Sequence, residues 1–103
     1  MDGIHKVIAT TEAEKRILNA QSRLEVSIVL ELYRVHPSPL MVKSLACVCD
    51  TSVTSLKGHL KRLVSLGMLE QKTGFDARAR FYCLSRTGES KARAFVRLYE
   101  DQR

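Results

Sequence analysis

Apolar residues change their spacing several times along this chain, and each change marks an element. From Thr11 to Val35 there is no Gly or Pro. Over that run Ile17, Leu24, Ile28, Leu32 and Val35 recur at helical intervals, while Val26, Val29, Leu30 and Tyr33 add apolar residues on the other faces. The pattern predicts one helix, amphipathic at first and buried nearly all round later. Thr11-Glu12-Ala13-Glu14 reads as its capping box, the Thr11 hydroxyl accepting from the Glu14 amide while the Glu14 carboxylate reaches back. His36-Pro37-Ser38-Pro39 ends the helix, because proline has no amide hydrogen and disfavours helical backbone in the residue before it.

A short helix follows around Val42 to Val48, with two competing starts. In one, Ser38 caps and Pro39 takes the first helical position. In the other, Pro39-Leu40-Met41 is a short extended piece and the helix begins at Val42. Cys49-Asp50-Thr51 then makes a tight turn, and Ser52 is a good N-cap for a third helix running to Leu66. Val53, Leu56, Leu60, Leu63 and Leu66 form its apolar stripe, and Thr54, Ser55, Lys57, Lys61, Arg62 and Ser65 the opposite face. Gly67 suits the left-handed position that closes a helix. Beyond it the period shortens. Met68 to Lys72 is strand-like, Thr73-Gly74-Phe75-Asp76 is a turn, and Ala79 to Leu84 alternates, which together predict a β-hairpin. Ser85 or Thr87 caps a last helix with Ala92, Phe95, Val96 and Tyr99 on its apolar side.

The expected fold is therefore mainly α with a small β-hairpin, in the order helix, helix, helix, hairpin, helix. At 103 residues, 45% of them hydrophobic, the chain has enough apolar material for one core and too little length for two. Residues 1–10 read as a lead-in and 11–103 as a single domain with flanking helices. The most apolar stretch, Val26 to Tyr33, is far shorter than the roughly 20 residues of a membrane span, and no apolar stretch follows the charged start as in a secretory signal. A cytoplasmic location is expected, and three cysteines, an odd and low count, fit a reducing compartment better than a disulfide framework.

Charge adds a direction to this picture. The formal net charge is +6 and the sequence pI about 9.6. Residues 1–56 hold six basic and six acidic side chains, and residues 94–103 two of each. The whole excess lies in 57–93, where Lys57, Lys61, Arg62, Lys72, Arg78, Arg80, Arg86, Lys91 and Arg93 outnumber Glu70, Asp76 and Glu89. That segment contains most of the third helix, the hairpin and the start of the last helix. Such clustering on one small unit points to a nucleic-acid partner. With no Trp and only 6% aromatic residues, a stacking platform for single strands is not expected.

Two short helices joined by a tight turn form a helix-turn-helix, whose second helix enters the major groove of a duplex. A hairpin directly after that helix is a wing, able to reach phosphates or the adjacent minor groove. At this point the sequence resembles the MarR-type winged-helix transcription regulators over about residues 24–90. The resemblance rests on Leu45-Ala46, His59-Leu60-Lys61-Arg62-Leu63, Gly67-Met68-Leu69, Asp76-Ala77-Arg78 and Leu84-Ser85-Arg86-Thr87-Gly88, in that order. It departs from the family pattern at Asp50, where the turn often has Gly, at Met41, where a capping Ser or Thr is common, and at Ala79, which replaces a second acid of the wing. The chain is also short for that family.

The resemblance implies a sequence-specific, double-stranded-DNA-binding transcription regulator that works as a homodimer without a cofactor. Helix 52–66 would read the major groove, and the wing, 70–84, the backbone or minor groove. The expected DNA-binding residues are Ser52, Thr54, Ser55, Lys57, Gly58, Lys61, Arg62, Lys72, Arg78 and Arg80. Thr54, Ser55 and Lys57 are candidates for base edges, Gly58 permits close approach, and Lys61 and Arg62 suit phosphate. By resemblance Asp76 would orient Arg78. Ile17, Leu18, Phe95, Leu98 and Tyr99 are candidates for dimer contact, with packing inside one subunit as the equal alternative.

Other readings use the same residues differently. A winged helix can dock onto a protein instead of DNA. Cys47-Val48-Cys49-Asp50 matches the soft-metal run of arsenical-resistance repressors, though here it falls at the motif turn, so a thiol- or metal-responsive repressor is a further alternative. Cys83 and His59 would be the remaining ligands, but no metal site is expected. No nucleophile–His–acid spacing, phosphate-binding glycine loop or paired-carboxylate signal is present, so no enzyme activity is expected.

Overall fold

The long first helix expected between Thr11 and Val35 is two helices. In the computed structural model, which describes residues 14–73 and 80–101, residues 14–18 are helical (α1) and a second helix, α2, spans Arg23–Val35. Asn19 separates them with a left-handed φ of 57°, a conformation asparagine tolerates better than most residues. Ser22 then caps α2, its hydroxyl accepting from the Glu25 amide at 3.3 Å. The Glu25 carboxylate reaches back to accept from the Gln21 amide at 2.8 Å. Ser22-x-x-Glu25 thus acts as a variant of the capping box, its return bond falling on Gln21 one residue before the cap, and no Gly or Pro announces the break. The Thr11 cap lies outside the described residues.

Of the two starts for the next helix, the extended one is found. Leu40–Met41 form a short strand, β1, and helix α3 spans Val42–Val48. Met41 supplies no side-chain cap. Its backbone is held instead by pairing of β1 with the second hairpin strand, Leu40 opposite Tyr82 and Met41 opposite Phe81. Helix α4 spans Val53–Ser65. Both α3 and α4 close in the same way: Thr51 N–H reaches Ala46 O at 2.9 Å beyond a left-handed Asp50 (φ 53°), and Met68 N–H reaches Leu63 O at 3.0 Å beyond a left-handed Gly67 (φ 78°). Asp50 therefore occupies, as an acid, the backbone conformation for which the family pattern often has glycine.

The hairpin strands are β2, Leu69–Thr73, and β3, Arg80–Leu84, and with β1 they make an antiparallel sheet in the order β1-β3-β2. Tyr82, Cys83 and Leu84 are all buried in succession. The alternation expected for this strand fails because β3 is the central strand and packs against α2, α3 and α5. Helix α5 spans Arg86–Asp101. Its cap is Ser85, whose hydroxyl accepts from Gly88 N–H at 2.9 Å and donates to the Gly67 and Met68 carbonyls.

One core joins these elements. Ile28, Val29 and Leu32 of α2, Leu45 of α3, Leu56, Leu60 and Leu63 of α4, Met68 after it, and Ala92 and Phe95 of α5 are buried together. The result is a three-helix unit with a sheet on one side, which leaves one long face of α4 uncovered.

Candidate nucleic-acid interface

The exposed face of α4 follows directly from its sequence. Leucines at 56, 60 and 63 have no exposed surface, so the helix is turned with that stripe inward. Thr54, Ser55, Lys57, Gly58 and Lys61 all come out on the exposed side. Ser52 sets the start of the helix, accepting from the Ser55 amide at 3.1 Å and lying 3.0 Å from the Ser55 hydroxyl. Its hydroxyl serves the helix cap as well as lying beside the candidate reading surface. Gly58 is mid-helix, and a Cβ added there would have nothing within 4 Å. Nothing in the chain itself therefore demands glycine at this point.

The wing stands beside this face. Lys72 on β2 and Arg80 on β3 are exposed, and Thr73 pairs with Arg80 at the end of the described hairpin. Between α4 and the sheet runs a groove of about 480 Å³, lined by Lys57, Lys61 and Arg80 above a floor of Val42, Val64 and Tyr82. Three cations from two elements are thus gathered around one concave surface. Asp76 and Arg78 at the wing tip lie outside the described residues.

Arg62 departs from the expectation. It was assigned to phosphate, but its guanidinium turns inward, pairing with the Glu25 carboxylate and donating to the Asn19 carbonyl at 3.0 Å. Glu25 is 1% exposed, and a buried carboxylate draws the nearest cation to itself. His59 joins the same group, with Nδ1 2.8 Å from the second Glu25 oxygen. An ionised carboxylate only accepts, so this contact places a hydrogen on Nδ1. Reading the sequence face by face missed the cluster, because Glu25 was hidden in an apolar run. The Ser22-x-x-Glu25 spacing was the available signal.

The candidate dimer residues also divide. Leu18 and Phe95 are buried inside the single chain, at 0% and 1% exposure, which leaves them no surface for a second copy. The intramolecular alternative holds for these two. Ile17 packs partly against the core, and Leu98 is exposed. Tyr99 lies on α5, at a position where only the backbone is described.

The cysteines do not converge. Cys47 is exposed, Cys49 half-buried and Cys83 buried. Burial pushes the Cys49 thiol pKa up, and Glu31 adds to the rise. Burial also raises that of Cys83, with Lys72 opposing and Glu70 adding. Both shifts disfavour the reactive thiolate. Among the described residues no three His, Cys, Asp or Glu side chains gather as a metal site, and no helix is long and apolar enough to cross a membrane.

No protein-family model matches the sequence, and no curated protein does. Solved structures match closely in shape. Against the MepR–DNA complex of S. aureus the TM-score is 0.82 at 13% identity, covering 95% of this chain and 79% of that one. Against reduced AbfR bound to DNA it is 0.70 at 20% identity, covering 91% and 67%. Against a further structure described as a transcriptional regulator it is 0.72 at 17% identity, covering 95% and 73%. The fold is the winged helix that these solved structures share, at sequence identities that speak for architecture alone.

Proposed function

We propose that this protein is a sequence-specific double-stranded-DNA-binding transcription regulator, with α4 in the major groove and the wing, 70–84, on the backbone or minor groove. The observation that carries the reading is the split of α4. Its leucines are wholly buried, while Thr54, Ser55, Lys57, Gly58 and Lys61 are exposed together, and Lys57 and Lys61 share a groove with Arg80 of the wing. A helix held by its back, with small polar and cationic side chains outward, has the chemistry for base edges and phosphates. The winged-helix fold shared with proteins solved on DNA supports the same docking. Asp76 and Arg78 would extend the contact from the wing tip.

The active form is a homodimer, in which two copies of α4 lie about one DNA turn apart. Leu98, exposed on α5, together with Ile17 and Tyr99, supplies the candidate contact. No catalytic step or cofactor enters this reading, and the place of action is the cytoplasm.

Selection of bound sequences from a random duplex library at fixed salt tests the proposal. A palindromic consensus is expected, with affinity falling steeply as salt rises. Lys57→Ala, Lys61→Ala and Arg80→Ala should each weaken binding. Parent-like binding by all three variants would overturn the interface. Absence of duplex binding, with a protein partner retained after nuclease treatment, would favour a protein-docking winged helix instead.

A further inference from the structure

Glu25 is a carboxylate in the core of a small domain, and every polar group around it is satisfied. One oxygen accepts from the Gln21 amide and from Arg62, and the other lies 2.8 Å from His59 Nδ1. Arg62 also donates to the Asn19 carbonyl. Among the described residues no buried side-chain polar atom lacks a partner. His59 and Arg62 lie three apart on α4, on the flank between its leucine stripe and its outward face. The bend between α1 and α2 is thereby tied to the helix proposed to read DNA.

The physical division of labour is clear. Contacts through Leu56, Leu60 and Leu63 hold α4 against the core but are non-directional, so they tolerate small rotations about the helix axis. Charge-assisted hydrogen bonds are directional and short-ranged. Two of them, one turn apart and converging on one fixed carboxylate, set the rotation that leucines leave loose. That rotation decides whether Thr54, Ser55 and Lys57 face base edges.

We propose that Glu25 is the positioning residue of the DNA-binding helix, acting through His59 and Arg62 to fix the rotational setting of α4. This rests on the DNA-binding reading above. Phosphate contact by long lysines tolerates a small rotation, whereas base-edge contact does not. Loss of the clamp should therefore weaken specific binding and spare non-specific binding.

The test compares the parent, Glu25→Gln and a core control, Val29→Ala, at a temperature where each is folded. Affinity is measured for the selected duplex and for a scrambled duplex at the same salt. Glu25→Gln should lose about tenfold on the selected duplex, a typical size for coupling between sites, with little change on the scrambled one. Val29→Ala, which opens a cavity in the same helix without touching α4's polar flank, should keep the parent's ratio. If Glu25→Gln does not fold, His59→Ala reads the same quantity, and His59→Asn, which restores a donor near the Nδ1 position, should recover most of the lost ratio. A parent-like ratio in Glu25→Gln, or in His59→Ala where that variant stands in, overturns the clamp while leaving the DNA reading intact. A parent that prefers no duplex overturns both, and the parent measurement alone identifies that case.

Discussion

Asp50 and Gly67 hold the same left-handed backbone at the ends of α3 and α4, with φ of 53° and 78°. Glycine adopts it freely, whereas an L side chain pays a steric cost. Asp50→Gly should therefore raise stability by about 0.5 kcal/mol, the relieved strain exceeding glycine's extra chain entropy. Urea unfolding would show this as a higher midpoint at unchanged slope. Gly58 gives the opposite test. It sits in a helix interior, where glycine costs about 0.5–1 kcal/mol relative to alanine, and nothing in the chain occupies the space of a Cβ. Gly58→Ala should stabilise the fold by that amount. If the open space is where the duplex approaches, the same change should weaken specific DNA binding. A variant that is more stable and binds equally well would remove Gly58 from the interface.

At the scale of elements, capping decides where helices begin. Ser52 and Ser85 both cap, but they differ in reach. Ser52 serves the start of α4, whereas Ser85 also donates to the carbonyls of Gly67 and Met68, joining the start of α5 to the end of α4. Ser52→Ala should cost about 1 kcal/mol, and Ser85→Ala about 2 kcal/mol, since it also removes the hydroxyl from which the Gly67 carbonyl accepts, while the Met68 carbonyl keeps the Ser85 amide as donor. Thermal unfolding of the two variants side by side checks the order. Gly88 belongs to the same junction: a Cβ there would lie 2.0 Å from the Met68 carbonyl oxygen. The Leu84-Ser85-Arg86-Thr87-Gly88 run is thus the sequence trace of a close backbone approach, with the serine making the bonds and the glycine the room.

At the scale of the molecule, the concentration of positive charge in 57–93 is not uniform in purpose. Lys57, Lys61 and Arg80 are exposed around one groove, and Lys72 is exposed on β2. Arg62 is used internally by Glu25, and Arg93 pairs with Glu89 on α5. Sequence position therefore overstates the charge available to DNA. For each cation that meets a phosphate, replacement by Ala should lower the slope of log affinity against log salt by about 0.9. Lys61→Ala and Arg80→Ala should show that drop, while Lys57→Ala, at a base-edge position, and Arg93→Ala should show none. Equal slopes for all four would mean that the charge acts as a diffuse field instead of through contacts.

Most of the fold was legible because it rests on periodicity and punctuation. The leucine spacing of α4, the Ser52 cap and Gly67 are local signals, and local signals placed α3, α4, α5 and the two wing strands, with Thr73, expected in the turn, continuing β2. The outward set of α4 was legible for the same reason, since the positions opposite a buried stripe must be exposed. Three things needed the folded chain. The break at Asn19 depended on a capping box that competes with a continuous helical pattern. Burial of three successive β3 residues depended on the extended piece at Leu40–Met41 pairing with β3, a partner far along the chain that no local pattern names. Arg62's inward turn depended on Glu25, 37 positions away, whose carboxylate had to be buried beside it first. The sequence alone determined which helix faces outward and with what chemistry, because that follows from one helix's own period. Tertiary structure decided which of its charges remain free and how the helix is held, because those depend on partners brought together only by folding.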